Sequence, residues 1–563
     1  MSNTNVTAHK PRIRKEKTVW IITAVVIVAL FLLLGLPASK LVESGTSSGG
    51  IDAIVRAVTV DRSPLWNTLL LGTLVGLVGT VVGFVTAYAQ VFLDFKGKKL
   101  LHWLTLLPMI SPPFAVATAT ITLFGRRGIV SHGIFGLDID IYGLSGLTLV
   151  IAMTFTPIAY MNVRGMLENL DPSLFEASYS LGASELKTLF KVTLPMVLPA
   201  LLTSFLLLFV EGIADLANPL VLGGDFRVLA SQIYFAVAGS GNIAAAAGIA
   251  LLLLLPALTV FVIQKYWAGK KSVATITGKP TGRRKPVTSL AVKIPILTVA
   301  FIWMILIALI YLTVFFGGFT NIIGVDNTPT LEHYAFVKRL GSDAMVTTMW
   351  MTIVAAPIAA VLAICIAWLV VRHFRRFGKV LDFIGMLGTA IPGTVLGLGF
   401  ALAYSQPTWL FGKQILPPLA GGLSVGAGAV AVVMVYVARG IPTGQQSTIS
   451  ALKQINPQIE EASTSLGASS LTTFLKVTIP LISPAIITGL TYAITKSMTT
   501  ITAIIFITTP QTKVMTSQIL DEVDAGRFGN AFAYCTVLIL LVLVVLGITS
   551  FFLNKVNRSR RAK

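Results

Sequence analysis

The chain of 563 residues predicts an all-α fold: a polytopic membrane protein of about 12 transmembrane helices in two homologous six-helix halves. Three observations carry this. Apolar residues make up 55% and charged residues only 12%, too apolar for a soluble protein of this size. The apolar residues gather into runs of about 20, the length that crosses a ~30 Å hydrocarbon core. Finally, residues 176–200, EASYSLGASELKTLFKVTLPMVLPA, return as 461–485, EASTSLGASSLTTFLKVTIPLISPA, at a constant offset of 285 with sixteen of 25 positions identical.

Taken in order, a basic tail (residues 1–18, with Lys10, Arg12, Arg14, Lys15 and Lys17) precedes the first apolar span, 18–39. That span is long enough to cross, and its end lacks a small-residue cleavage site, so it reads as an anchor rather than a removable signal. Further spans follow at 65–93, 100–124, 142–161, 195–214 and 243–263, completing a first transmembrane unit at 19–264. A basic linker, 265–293, separates it from a second unit, 294–553, with spans at 294–316, 344–371, 380–404, 419–438, 480–508 and 531–553. A basic tail, 554–563, closes the chain. Stretches such as PMISPPFAVATA and GTAIPGTVLGLG carry the Gly and Pro expected where membrane helices pack closely or bend.

Orientation follows from lysine and arginine. With the N-terminus inside and twelve alternating spans, 31 basic residues fall inside, 11 outside, and Lys496 within a span. Both termini and both repeated loops then come out cytoplasmic. The formal charge of +20 is therefore topology, and a nucleic-acid partner is excluded. Cys365 and Cys535 sit far apart inside apolar spans, with no disulfide or metal-ligand spacing.

Each repeated loop reads as two short helical pieces around a glycine turn (Gly182, Gly467), with Pro195 or Pro480 opening the next span. Glu176-Ala177-Ser178, Gly182 and Leu194-Pro195, repeated as Glu461-Ala462-Ser463, Gly467 and Ile479-Pro480, resemble the EAA loop of ABC-importer permeases. The fused pair of units is similar to the ferric-iron permeases over nearly the whole length. The resemblance implies that both loops are coupling helices seated on two ATP-binding subunits inside the cell. It also implies a substrate-binding protein outside, a location in the cell membrane amid lipid, and ferric iron as cargo.

Ionisable residues within spans usually mark a pathway or a pair. Glu211 and Asp215 stand one helical turn apart near the outer end of the fifth span, and Lys496 occupies the position equivalent to Glu211 at the same offset of 285. Glu211 and Lys496 either pair across the pseudo-twofold axis beside a gate or are each satisfied within their own half. Transport restored by double charge reversal would indicate pairing. ADLANPLVLGGDF after Glu211 resembles the iron permeases, whereas ITKSMTTITAIIFITTP departs from their usual pattern and puts the substrate in question. A hard trivalent cation wants oxygen ligands, and no dense carboxylate cluster is present. Lys496 would instead suit an anion such as a phosphonate or sugar phosphate.

Outer-loop Arg126, Arg127, Lys338, Arg339, Asp138, Asp140, Asp521, Glu522 and Asp524 could dock a binding protein by complementary charge or simply be solvated. His102, His132 and His333 show no ligand spacing. No Gly-Lys is followed by Ser or Thr as a phosphate-cradling loop requires, and no HExxH occurs. The chain is therefore expected to be no enzyme, to carry no cofactor and to leave ATP hydrolysis to a partner. The competing reading is an ion-coupled secondary transporter, also built from repeats, in which Glu211 or Asp215 would relay protons and the long loops would have no role.

Overall fold

The computed structural model describes residues 17–266, 286–374, 376–410 and 412–561. The basic tail before residue 17, the middle of the basic linker (267–285) and the last two residues lie outside them. Among the described residues ten helices are long and apolar enough to cross a membrane, and counting each of two bent helix pairs as one span gives twelve. In chain order, span 1 is Lys17–Gly45, span 2 Ser63–Phe92, span 4 Leu144–Glu168, span 5 Glu185–Ala214 and span 6 Ile243–Tyr266. The second set is span 7 Leu290–Gly317, span 8 Ser342–His373, span 10 Val425–Gln454, span 11 Ser470–Thr499 and span 12 Phe528–Leu553.

The remaining two spans are broken. Span 3 is Lys98–Ile110 with Pro113–Ile134, bent by 112°, and span 9 is Phe377–Ala390 with Gly393–Tyr404, bent by 102°. Proline explains both breaks: it offers no N–H and pushes the residue before it out of the helical region. Ser111 and Pro112, and likewise Ile391 and Pro392, are extended. Non-helical backbone at membrane depth is tolerated only where protein or a cavity surrounds it.

Other boundaries also moved. The run expected at 480–508 stops being helical at Thr499, and in the run expected at 419–438 the α-helix begins only at Ala429 and continues to Gln454. Apolar composition marks burial rather than helix, so residues of non-helical turns after Thr499 (Ile501, Ala503, Ile504) are buried like those of a helix.

Small residues set the packing. Gly72, Gly76, Gly79 and Gly83 form one face of span 2, where an added Cβ would strike Ile213, Phe205 or Leu208 of span 5, or Ala159 of span 4. The corresponding face of span 8 is Thr352, Ala356, Ala359 and Ala363, against which Gly440 and Gly444 of span 10 pack. Without a hydrophobic drive between helices in lipid, such close approach supplies the association energy.

Each half lends its first helix to the other. Span 7 packs on spans 2 and 3 as well as span 12, and span 1 packs on the second limb of span 9 and on span 6. The Tyr404 hydroxyl donates to the Leu32 carbonyl, and Trp20 meets Phe374 at 5.9 Å. One apolar core cluster therefore runs through both halves, beside two smaller ones.

Candidate functional site

The first repeated loop begins with the helix Pro172–Ser180, whose N-terminus is capped by Asp171 accepting the Ser173 N–H at 2.9 Å. In the second, Asn456 accepts the Gln458 N–H at 3.1 Å ahead of Pro457–Ser465. Gly182 (φ +77°) and Gly467 (φ +90°) make the bend, a conformation that a Cβ disfavours. Past each bend, Ser184 and Ser469 cap the next turn, which runs without a break into span 5 or span 11. This is the arrangement expected from sequence: two short helical pieces around a glycine bend, the second leading straight into the span. Besides backbone bonds, a hydroxyl pair bridges each bend, Ser178 with Thr188 at 2.8 Å and Ser463 with Thr473 at 2.9 Å, again offset by 285.

Both loops lie at one end of the molecule, because the segments that follow spans 5 and 11 meet at the other, where Tyr234 contacts Phe506. Glu176, Ala177, Gly182 and Pro195 are exposed, as are Glu461, Ala462, Gly467 and Pro480. So are two leucines the motif reading passed over: Leu181 and Leu466, 87% and 90% exposed at the tips of the bends. Their identity in both copies was the available signal.

The loops are anchored differently. In the first, Phe175 is buried against Phe92 at the end of span 2, with ring centroids 5.2 Å apart. At the corresponding places in the second half, Glu460 pairs with Arg372 at 2.8 Å, and Arg372 also donates to the Leu452 carbonyl. Glu185 of the first loop accepts the N–H groups of Thr288 and Ser289, at 3.0 and 2.6 Å, and so caps the start of span 7 in the opposite half. None of these polar anchors was foreseen.

Between the spans, both breaks meet a shared cavity of about 140 Å³. Pro108, Ser111 and Pro113 line it from one break, and Ile391, Pro392 and Gly393 from the other, together with Glu211, Asp215, Arg439 and Lys496. The structure thus brings together all three charged residues singled out from sequence and adds Arg439. Arg439 directly follows the run expected at 419–438, and the helix continues through it to Gln454. Arg439 Nη1 donates at 3.3 Å to the carbonyls of Gly388 and Ile391, which the break in span 9 leaves without helical partners.

Asp215 is not one turn along the same helix as Glu211. The helix ends at Ala214, and Asp215, 5% exposed, accepts from the Asn218 side chain at 2.6 Å and its backbone N–H at 3.3 Å. Among the described residues no ion pair joins Glu211 to Lys496. Nor does any group of three or more His, Cys, Asp or Glu side chains there form a metal site.

At the end opposite the loops, Arg126 pairs with Asp140 and Lys513 with Asp521, each at 3.0 Å and exposed. Arg126 holds the Asp140 carboxyl below its usual range by hydrogen bonding. Glu522, grouped from sequence with surface charges, is instead buried: Arg527 donates to it at 2.6 and 3.0 Å, Asn530 at 3.0 Å and Gln518 at 3.1 Å. His102 contacts Tyr160 at 2.7 Å and Arg164 at 3.0 Å, and His333 contacts Asn530 at 2.8 Å, so both are packing histidines.

Residues 79–273 and 355–563 match the family described as binding-protein-dependent transport system inner membrane component. The chain belongs to this family. It is 34% identical over 494 residues to the ferric transport system permease protein FbpB of Actinobacillus pleuropneumoniae, covering 85% of this chain and 69% of that protein. The putative ferric transport system permease protein FbpB 1 of Haemophilus influenzae is likewise 34% identical over 475 residues, 82% of this chain and 71% of the other. The molybdenum transport system permease protein ModB of Escherichia coli is 26% identical over 219 residues, 36% of this chain and 94% of its own length. The twofold match confirms a fused, two-unit permease, a multi-pass inner-membrane protein whose units each contain one bent loop.

Proposed function

We propose that this permease is the membrane subunit of an ATP-driven importer that moves ferric iron from an extracytoplasmic binding protein into the cytoplasm. The observation that carries the reading is the pair of exposed, glycine-bent loops at one end, each continuous with a helix that reaches the central cavity. Two relatives of one third identity whose names specify ferric transport support iron as the cargo.

In this reading the loop end faces the cytoplasm, with both chain termini, and each loop seats on one of two ATP-binding subunits. One copy of the chain then suffices per transporter. The units correspond to residues 19–264 and 294–553, joined by the basic linker 265–293. Glu176, Ala177, Gly182 and Pro195, with Glu461, Ala462, Gly467 and Pro480, form the coupling surface, and the tip leucines Leu181 and Leu466 add apolar contact to it. Closure of the ATPase pair tilts spans 5 and 11, which carry Glu211 and Lys496, and opens the cavity to alternate sides. The chain itself hydrolyses nothing and needs no cofactor.

Gly182→Val combined with Gly467→Val tests the loops. Nothing lies within 4 Å of either added Cβ, so the cost is backbone strain of roughly 1–2 kcal/mol per site. The fold should survive, while ATP-dependent iron uptake into proteoliposomes falls at least tenfold. Full uptake by the double variant would overturn the coupling role. Uptake driven by a proton gradient without ATP would favour the secondary-transporter reading.

A further inference from the structure

We propose that the central cavity passes iron as a complex with a multidentate oxyanion or carboxylate, so that the anion crosses with the metal. The inference rests on the iron-import reading and refines its substrate.

The charged groups lining the cavity decide the matter. Spans 10 and 11 contribute Arg439 and Lys496, and span 5 with the residue after it contributes Glu211 and Asp215. Asp215 is committed to Asn218 through two hydrogen bonds. Both bonds end on Oδ2, so its charge stays at the cavity, where two carboxylates offset two cations and leave no net negative charge. Arg439 spends Nη1 on the carbonyls of the break, while its buried Nε has no partner. Lys496 has no ion pair among the described residues.

The hydroxyls do not compensate. Thr154, Thr389, Thr495 and Thr499 donate into carbonyls of their own helices, which leaves only weak neutral oxygens facing the cavity. A bare trivalent ion would meet a site without net negative charge, its two carboxylates offset by two fixed cations, too few oxygen anions to replace its hydration. The same cations leave N–H donors unused, and a buried donor without an acceptor is costly. A ferric ion wrapped in carboxylate or phosphate oxygens removes both difficulties: its ligands satisfy the metal, and their outer oxygens accept from Lys496 and Arg439.

The test uses the complete transporter, this chain with its ATPase and binding protein, in proteoliposomes. Uptake of radiolabelled iron is followed together with labelled citrate in one arm and labelled phosphate in the other. The expected result is ATP-dependent entry of one labelled anion at a constant ratio to iron. Lys496→Gln should lower uptake of both labels at least tenfold, and Lys496→Arg should restore it. ATP-dependent iron entry with neither anion above the ATP-free control would overturn this proposal and leave iron import standing. Unchanged uptake in Lys496→Gln would also overturn it. Absence of any ATP-dependent iron entry would instead sink the import reading on which it depends.

Discussion

At the scale of single residues, the molecule separates charges that serve structure from charges that stay available. Glu522 shows the first kind. Burial opposes its ionisation, but hydrogen bonds from Arg527, Asn530 and Gln518 and the charge of Arg527 outweigh this and hold its carboxyl below the ordinary range. A carboxylate with a lowered folded-state value stabilises the protein above the unfolded-state value, and that contribution is lost as pH falls through the folded one. Glu522→Gln should therefore lower stability by about 1–2 kcal/mol at pH 7. The difference in Tm between the two proteins, followed by a thermal-shift assay, should narrow below about pH 4, near the intrinsic value of a glutamate. A difference independent of pH would contradict the role assigned to the ionised group. Lys496 and Arg439 show the second kind. Sequence placed Lys496 in a span by its surroundings, whereas Arg439 became visible only when the helix boundary moved past it.

The elements repeat their backbone and vary their chemistry. Thr68 of span 2 accepts the N–H of Leu229 at 2.8 Å, and Thr348 of span 8 accepts that of Met515 at 2.8 Å, so one tie recurs in both halves. The loop anchors diverge instead, with Phe92 and Phe175 in one half and Arg372 and Glu460 in the other. A largely buried ion pair offsets its own desolvation only while both partners remain. Arg372→Phe or Glu460→Phe alone should cost about 2 kcal/mol, and the double substitution should recover most of it. Denaturation of all three variants in detergent checks this. Additive losses would show that the aromatic pair and the ion pair are not interchangeable. The loops themselves were legible because glycine, serine caps and proline act within a few residues. Their anchors were not, because Phe92 and Arg372 lie more than 80 positions from their partners.

At the scale of the whole molecule, spans 1 and 7 each pack on the opposite half. Glu185 adds a tie from the first loop to the start of span 7, so displacement of that loop reaches both halves at once. The two halves, produced as separate chains divided within 267–285, should therefore assemble into a stable complex. Truncating span 1 should weaken that assembly. Co-purification through a tag on one half measures both, and recovery of free halves would refute the exchange as a source of stability.

The sequence by itself determined the class of molecule, the duplicated plan and the position of both loops, because hydropathy, an internal repeat and turn-forming glycines are local or periodic signals. Only the tertiary structure decided that two spans are broken, that Asp215 is tied to Asn218, and that Arg439 joins Glu211 and Lys496 around one cavity. Those outcomes depend on which distant backbone groups lose their helical partners and which side chains come close enough to replace them. That proximity is created by the packing of twelve spans and is written in no single one of them.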